Sequence, residues 1–203
     1  LVHYFEQEFI LMAQKVVSFD LTGKLLISTP AMGDPRFSNS VVYICAHSDR
    51  GAFGLVINRP IEGLTLASVL GQLKIPVTRP LPDKPVLAGG PVDSVFGFVL
   101  YRGGEEYAPD SEQLADGMSV TASPLILADI ARGEGPSDWL LALGCSGWGA
   151  GQLEAEISQN DWLTCDAASA LVFSANPDRR LWHSALQFMG INPMHLSSAS
   201  GRG

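Results

Sequence analysis

The chain has 203 residues, enough to bury one substantial core. Its 46% hydrophobic and 17% charged residues exclude a disordered chain. A formal net charge of −8, with Arg179-Arg180 as the only adjacent basic pair, argues against direct contact with a nucleic-acid backbone.

Residues 1–20 read as an N-terminal extension, with the domain proper over 21–196 and a polar, fraying tail over 197–203. Phe5, Phe9, Ile10 and Leu11 fall at roughly helical spacing, as in a docking helix. Glu6 and Glu8, without a basic stretch before them, do not fit a signal peptide, and Met12 is a candidate internal start. No apolar run reaches the length of a membrane span.

Lys24 to Ser28 predicts a strand, followed by a loop from Thr29 to Pro35. Val41–Ala46 and Phe53–Ile57 predict a β-hairpin with a four-residue loop, Ser48 to Gly51. That register puts His47 near the turn and Ser40 close to Asn58-Arg59-Pro60. Leu64 to Leu73 predicts a short helix with Thr65 as N-cap, and four prolines make 75–85 a loop. Val86–Ala88, Gly89-Gly90-Pro91 and Val95–Tyr101 read as a second strand–turn–strand unit. Residues 102–117 read as irregular and Met118–Ala122 as a strand. Ser123 then caps a helix that has Pro124 at its first position, runs to Ala131 and stops at Gly133.

The stretch 143–162 is the most informative. The apolar run Trp139–Leu143 meets Gly147, Gly149 and Gly151, and Leu153 and Ile157 follow at helical spacing. A buried strand is expected to hand over to a helix through a glycine turn, a common place for chemistry or anion binding. The spacing is neither GxGxxG nor a P-loop, and Glu154 and Glu156 would repel an anion. Tight strand–helix packing anchored by Trp148 is therefore the favoured role, with Gln152 and Glu154 as candidate pocket walls. A last helix is expected between an Asn176-Pro177 cap and Gly190. The pattern as a whole predicts one α+β domain, a mixed and largely antiparallel sheet with β-hairpins flanked by helices.

Cys45, Cys145 and Cys165 lie far apart, with no CxxC and no Cys/His cluster. They fit a reducing, cytoplasmic setting, and no metal or cofactor is expected. Gly144-Cys145-Ser146-Gly147 has the wrong spacing for a nucleophile elbow. A Cys145/His hydrolase would need His47 or His183 beside the thiol. The better candidate set for a ligand is Asp34, Ser40, His47, Asn58, Arg59 and Glu154, with Arg59 holding a carboxylate or phosphate. The competing structural role has Asp34 in a turn before Pro35 and Arg59 paired with Asp34 or Glu62.

Four blocks resemble the YqgE/AlgH family of bacteria. They are Leu26–Phe37 running into Ser40–Cys45, Gly51–Pro60, Gly89-Gly90-Pro91-Val92 with Gly97–Leu100, and Gly147–Glu154 continuing through Glu156, Asn160 and Trp162-Leu163. The chain departs from the family pattern at Ala46, where Glu is usual, at Tyr101, where His is frequent, and at Cys145-Ser146, where Tyr-Ala is usual. It also ends in Gly201-Arg202-Gly203 where the family has Gly-His-Ala. The resemblance implies a compact αβ fold and no settled activity, although some members carry a transcriptional-regulator label. The expected function is a binding domain for an unknown small molecule or protein, with a regulatory role, as a monomer or weak homodimer. The alternatives are an enzyme acting at Asp34, Asn58 and Arg59, and a regulator acting indirectly rather than on DNA.

Overall fold

The computed structural model describes residues 20–103, 111–193 and 196. The docking helix read at Phe5–Leu11 and the tail 197–203 lie outside the described residues. The described strands are β1 (Lys24–Ser28), β2 (Val41–Ser48), β3 (Gly51–Val56), β4 (Pro60–Thr65), β5 (Pro85–Ala88), β6 (Val92–Arg102), β7 (Ser111–Gln113), β8 (Met118–Thr121), β9 (Trp139–Gly149) and β10 (Trp162–Asp166). The α-helices are α1 (Leu66–Gln72), α2 (Leu125–Arg132), α3 (Gln152–Ser158), α4 (Ser169–Val172) and α5 (Arg179–Phe188), and short 3-10 turns occupy Pro35–Phe37 and Ala115–Gly117.

These strands form one sheet in the order β10-β1-β2-β3-β9-β6-β8-β7, with β5 also on β9 and β4 on β5. All pairings are antiparallel except β5 with β9. β9 is the spine: its last four residues pair with β3, and its first half pairs with β5 and β6. The expected α+β class is therefore what the chain adopts. The apolar runs in β1 and β2 are continuous because both faces of those strands are covered. Leu25, Ile27, Val41, Tyr43 and Cys45 pack with Leu181, Trp182, Ala185 and Leu186 of α5. Leu26, Val42 and Ile44 point the other way, against Trp148, Leu153 and Trp162. A separate core joins α1 and α2 to Val86, Val99, Tyr101 and Leu141.

Several local expectations change. The hairpin turn is tighter than read: β2 and β3 extend to Ser48 and Gly51, leaving Asp49-Arg50 between them. A Cβ on Gly51 would sit 2.2 Å from the Trp148 carbonyl oxygen, so glycine lets the turn close onto β9. β5 and β6 do not pair as a unit; each lies against β9. Ser123 Oγ accepts the Leu125 N–H at 3.4 Å ahead of helix α2, as the capping reading expects, whereas Asp178, not Asn176-Pro177, caps α5 by accepting from the Arg180 N–H. β4, β7, β10 and α4 were not read from the sequence, because each is short and has weak apolar periodicity.

Candidate functional site

The glycine junction is not where the strand ends. β9 continues through Gly147 and Gly149, paired with Phe53 and Gly51, and the turn into α3 is only Ala150-Gly151. No atom outside the adjacent residues lies within 4 Å of a Cβ built on Gly147, so close packing is not what glycine provides there. The tight approach occurs instead at Gly89-Gly90-Pro91, which crosses β9. A Cβ on Gly90, whose φ is +154°, would lie 2.2 Å from the Cys145 carbonyl oxygen.

What α3 presents is a polar clasp. Trp148 and Trp162 each donate an indole N–H to Glu156 Oε2 at 2.8 Å, and Gln152 donates to Glu156 Oε1 at 2.8 Å. Gln152 Oε1 in turn accepts the Gly149 N–H at 3.0 Å. Phe37 packs on both tryptophans, which ties the loop after β1 to the same cluster. Sequence reasoning missed Glu156, although its position four residues after Gln152 puts both on one helix face.

His47 and Glu154 meet at 3.0 Å, Nε2 to Oε1. The His47 side chain is 5% exposed. Because Nδ1 accepts the Leu21 N–H, the ring proton sits on Nε2 and is donated to Glu154. The pair joins the start of the domain, the β2–β3 hairpin and α3.

Asp34, Ser40, Asn58 and Arg59 gather away from that pair. Asp34 caps the 3-10 turn and is clasped by Arg36, whose guanidinium holds the carboxyl below the usual carboxylate range. Arg59 therefore does not pair with Asp34 or Glu62 as the structural reading expected; it donates to the Ser38 carbonyl at 2.9 Å. Burial lowers the Arg59 pKa, while nearby Asp34 acts in the opposite direction. Asn58 accepts the Val41 N–H at 2.8 Å and donates to the carbonyls of Asn39 and Asp178. The Ser40 hydroxyl is buried without a partner among the described residues. The sequence-derived set is thus divided among three places: Asp34 with Ser40, Asn58 and Arg59; His47 with Glu154; and Gln152 with Glu156.

None of these residues lines the clefts around residues 79–87 or the groove beside β6. Two joined clefts, of about 240 and 540 Å³, share Asp83, Lys84, Pro85, Ala175 and Pro177 as a wall. The smaller is mostly apolar, with Leu87, Trp139, Leu140, Val172 and Phe173. The larger reaches Pro60, Asp178 and Arg180, next to Asn58. A third, of about 500 Å³, continues past Leu81 and Pro82 to Trp139 and α2. Lys84 stands at the centre, half-buried, donating to the Trp139 carbonyl at 3.1 Å with its ammonium 4.6 Å from the Trp139 ring centroid. Sequence reasoning passed over it as part of a proline loop. Its only local signal is a lysine held between Pro82 and Pro85 at the entry to a buried strand. A fourth groove, about 280 Å³, lies beside the irregular stretch of β6, where Val95 and Phe96 are 86% and 57% exposed.

The cysteines are not set up as nucleophiles. Burial raises the thiol pKa of Cys45 and Cys145, and pushes Cys165 up to about 11. Among the described residues, no group of three or more His, Cys, Asp or Glu could hold a metal. No described helix is long and apolar enough to cross a membrane.

Fold and motifs together define an αβ domain with a β9-centred sheet and a Trp–Glu–Trp clasp. The chain belongs to the AlgH-like family (DUF179), whose model matches residues 25–194. A UPF0301 protein of Jannaschia sp. (strain CCS1) is 48% identical over 193 residues, covering 94% of this chain and 99% of that one. A UPF0301 protein of Ralstonia nicotianae is 42% identical over 191 residues, with the same coverage. The solution structure of the AlgH protein from Pseudomonas aeruginosa aligns with a TM-score of 0.71 and 41% identity, covering 91% of this chain and 97% of that one. The crystal structure of protein DIP2367 from Corynebacterium diphtheriae aligns with a TM-score of 0.67 at 20% identity, covering 89% and 91%, and shares the fold.

Proposed function

We propose that the chain is a binding domain that holds a small molecule in the joined clefts around residues 79–87. The observation that carries this is the shared wall 83–85, which separates an apolar chamber from a larger, more polar one between elements of the folded core. Small-molecule sites are typically concave and apolar with few polar groups, and the smaller chamber has that form. Asp34, Asn58, Arg59, His47 and Glu154 spend their hydrogen bonds within the chain, which favours binding at the clefts over catalysis at those residues. Regulation on this reading is indirect, through the bound molecule, since the net charge of −8 disfavours contact with DNA.

The test is a ligand screen by thermal shift, followed by resonance mapping. A ligand at tenfold or more above its Kd should raise the midpoint saturably by mass action, on the order of 1–3 kcal/mol of added stability. Its resonance changes should centre on Lys84, Trp139 and Phe173. A chemically broad screen without a saturable shift, or changes centred on Asp34 and Arg59 instead, would sink this proposal.

A further inference from the structure

Lys84 is anomalous in a way that points to the chemistry of a ligand. Its ammonium has three N–H donors; one goes to the Trp139 carbonyl, and no described carboxylate pairs with it. Asp83, on the same wall, is exposed, so water screens its charge. Burial pulls the ammonium below its ordinary pKa, and the charge of Asp138 acts in the opposite direction. A half-buried cation with no described carboxylate in ion-pair contact is costly, and an entering anion would offset that cost. The chamber beside it is walled by Leu87, Trp139, Leu140 and Val172, each under 9% exposed, and by Phe173.

We propose that this chamber takes a small amphipathic carboxylate, with its apolar body against Leu140, Val172 and Phe173 and its carboxylate on Lys84 Nζ. The assignment rests on the binding reading above and adds the ligand's class to it. A chamber of about 240 Å³ suits a ligand smaller than drug size. A carboxylate fits better than a phosphate monoester. Phosphate sites gather several donors, such as an arginine fork or a helix N-terminus. Here the apolar chamber offers one ammonium, and Arg180 in the adjoining cleft is already clasped by Asp178.

The experiment compares 3-phenylpropionate with 3-phenylpropionamide and phenyl phosphate on the full chain, read by two-dimensional NMR at the Trp139 indole. The acid is expected to titrate saturably and to bind about tenfold or more tighter than the amide, as a charge-assisted hydrogen bond requires. Lys84→Met should bring the acid down to the amide's affinity and leave the amide unchanged, while Lys84→Arg should keep most of the preference. Equal binding of acid and amide to the native chain overturns the carboxylate assignment and leaves the cleft reading standing. Tighter binding of phenyl phosphate also overturns it. Absence of binding by all three probes at the Trp139 indole overturns the carboxylate assignment; the broad screen separately decides the cleft reading.

Discussion

Two charged side chains sit in opposite circumstances. Glu156 receives two indole N–H groups and one amide, all at 2.8 Å, in a clasp that joins β9, α3 and β10. Lys84 is also half-buried, yet it has one carbonyl, an aromatic face and no carboxylate in ion-pair contact among the described residues, with only the charge of Asp138 acting at longer range. The contrast teaches where to look for a ligand. A half-buried charge whose hydrogen-bonding capacity is filled from within stabilises the scaffold, whereas one left short is available to something from outside.

Removing the clasp should have the largest effect. Glu156→Ala strands both indole donors, each costing about 1–3 kcal/mol when buried without a partner, so a loss of about 3 kcal/mol in urea unfolding is expected. Glu156→Gln keeps an acceptor oxygen and should lose about 1 kcal/mol. Equal losses for the two variants would mean that the carboxylate, not the acceptor geometry, carries the clasp. His47→Ala comes next. It removes the acceptor for the Leu21 N–H and the donor to Glu154, and about 2 kcal/mol is expected, with faster amide exchange at Leu21 as the local signature. Unchanged exchange at Leu21 would break the assignment of that ring as the tether of residues 20–23. Lys84→Met should do least. It deletes one hydrogen bond but also an unpaired half-buried charge while keeping an apolar stem, so stability should stay within about 0.5 kcal/mol of the native chain. A loss as large as that of Glu156→Ala would make Lys84 a scaffold residue and erase the contrast.

The candidate site was only partly legible in the sequence, for identifiable reasons. Ser40 and Asn58-Arg59 share one end of the hairpin because its register puts them there, while Asp34 comes near Arg59 through the loop before β2. Placing His47, Glu154 and Gln152 with that group is overturned, because their contacts cross 107 residues in one case and depend on how α3 folds back in the other. Glu156 looked like an ordinary acid in a first turn, favoured there by the helix dipole. Its role depends on Trp162, which reaches it only because β10 adds to the sheet beside β1. Lys84 gave no pattern at all, since a cleft is defined by elements distant in sequence, here 83–87, 139–140 and 172–177.

The family, the α+β class, the hairpin and the helices with caps or periodic apolar faces can be read from the chain alone, because those are set by local backbone preference and by period. The sequence does not settle which glycine block makes the close approach, which falls at Gly89-Gly90 rather than in the 147–151 run. Three features emerge only from the fold: β9 runs on to Gly149, β5 and β6 share β9 rather than each other, and Gly90, not Gly147, lies against a carbonyl. Strand partnership and close approach are properties of two segments at once. The same is true of an unpaired charge: Lys84 is short of a partner only because of what the fold places, and does not place, around it.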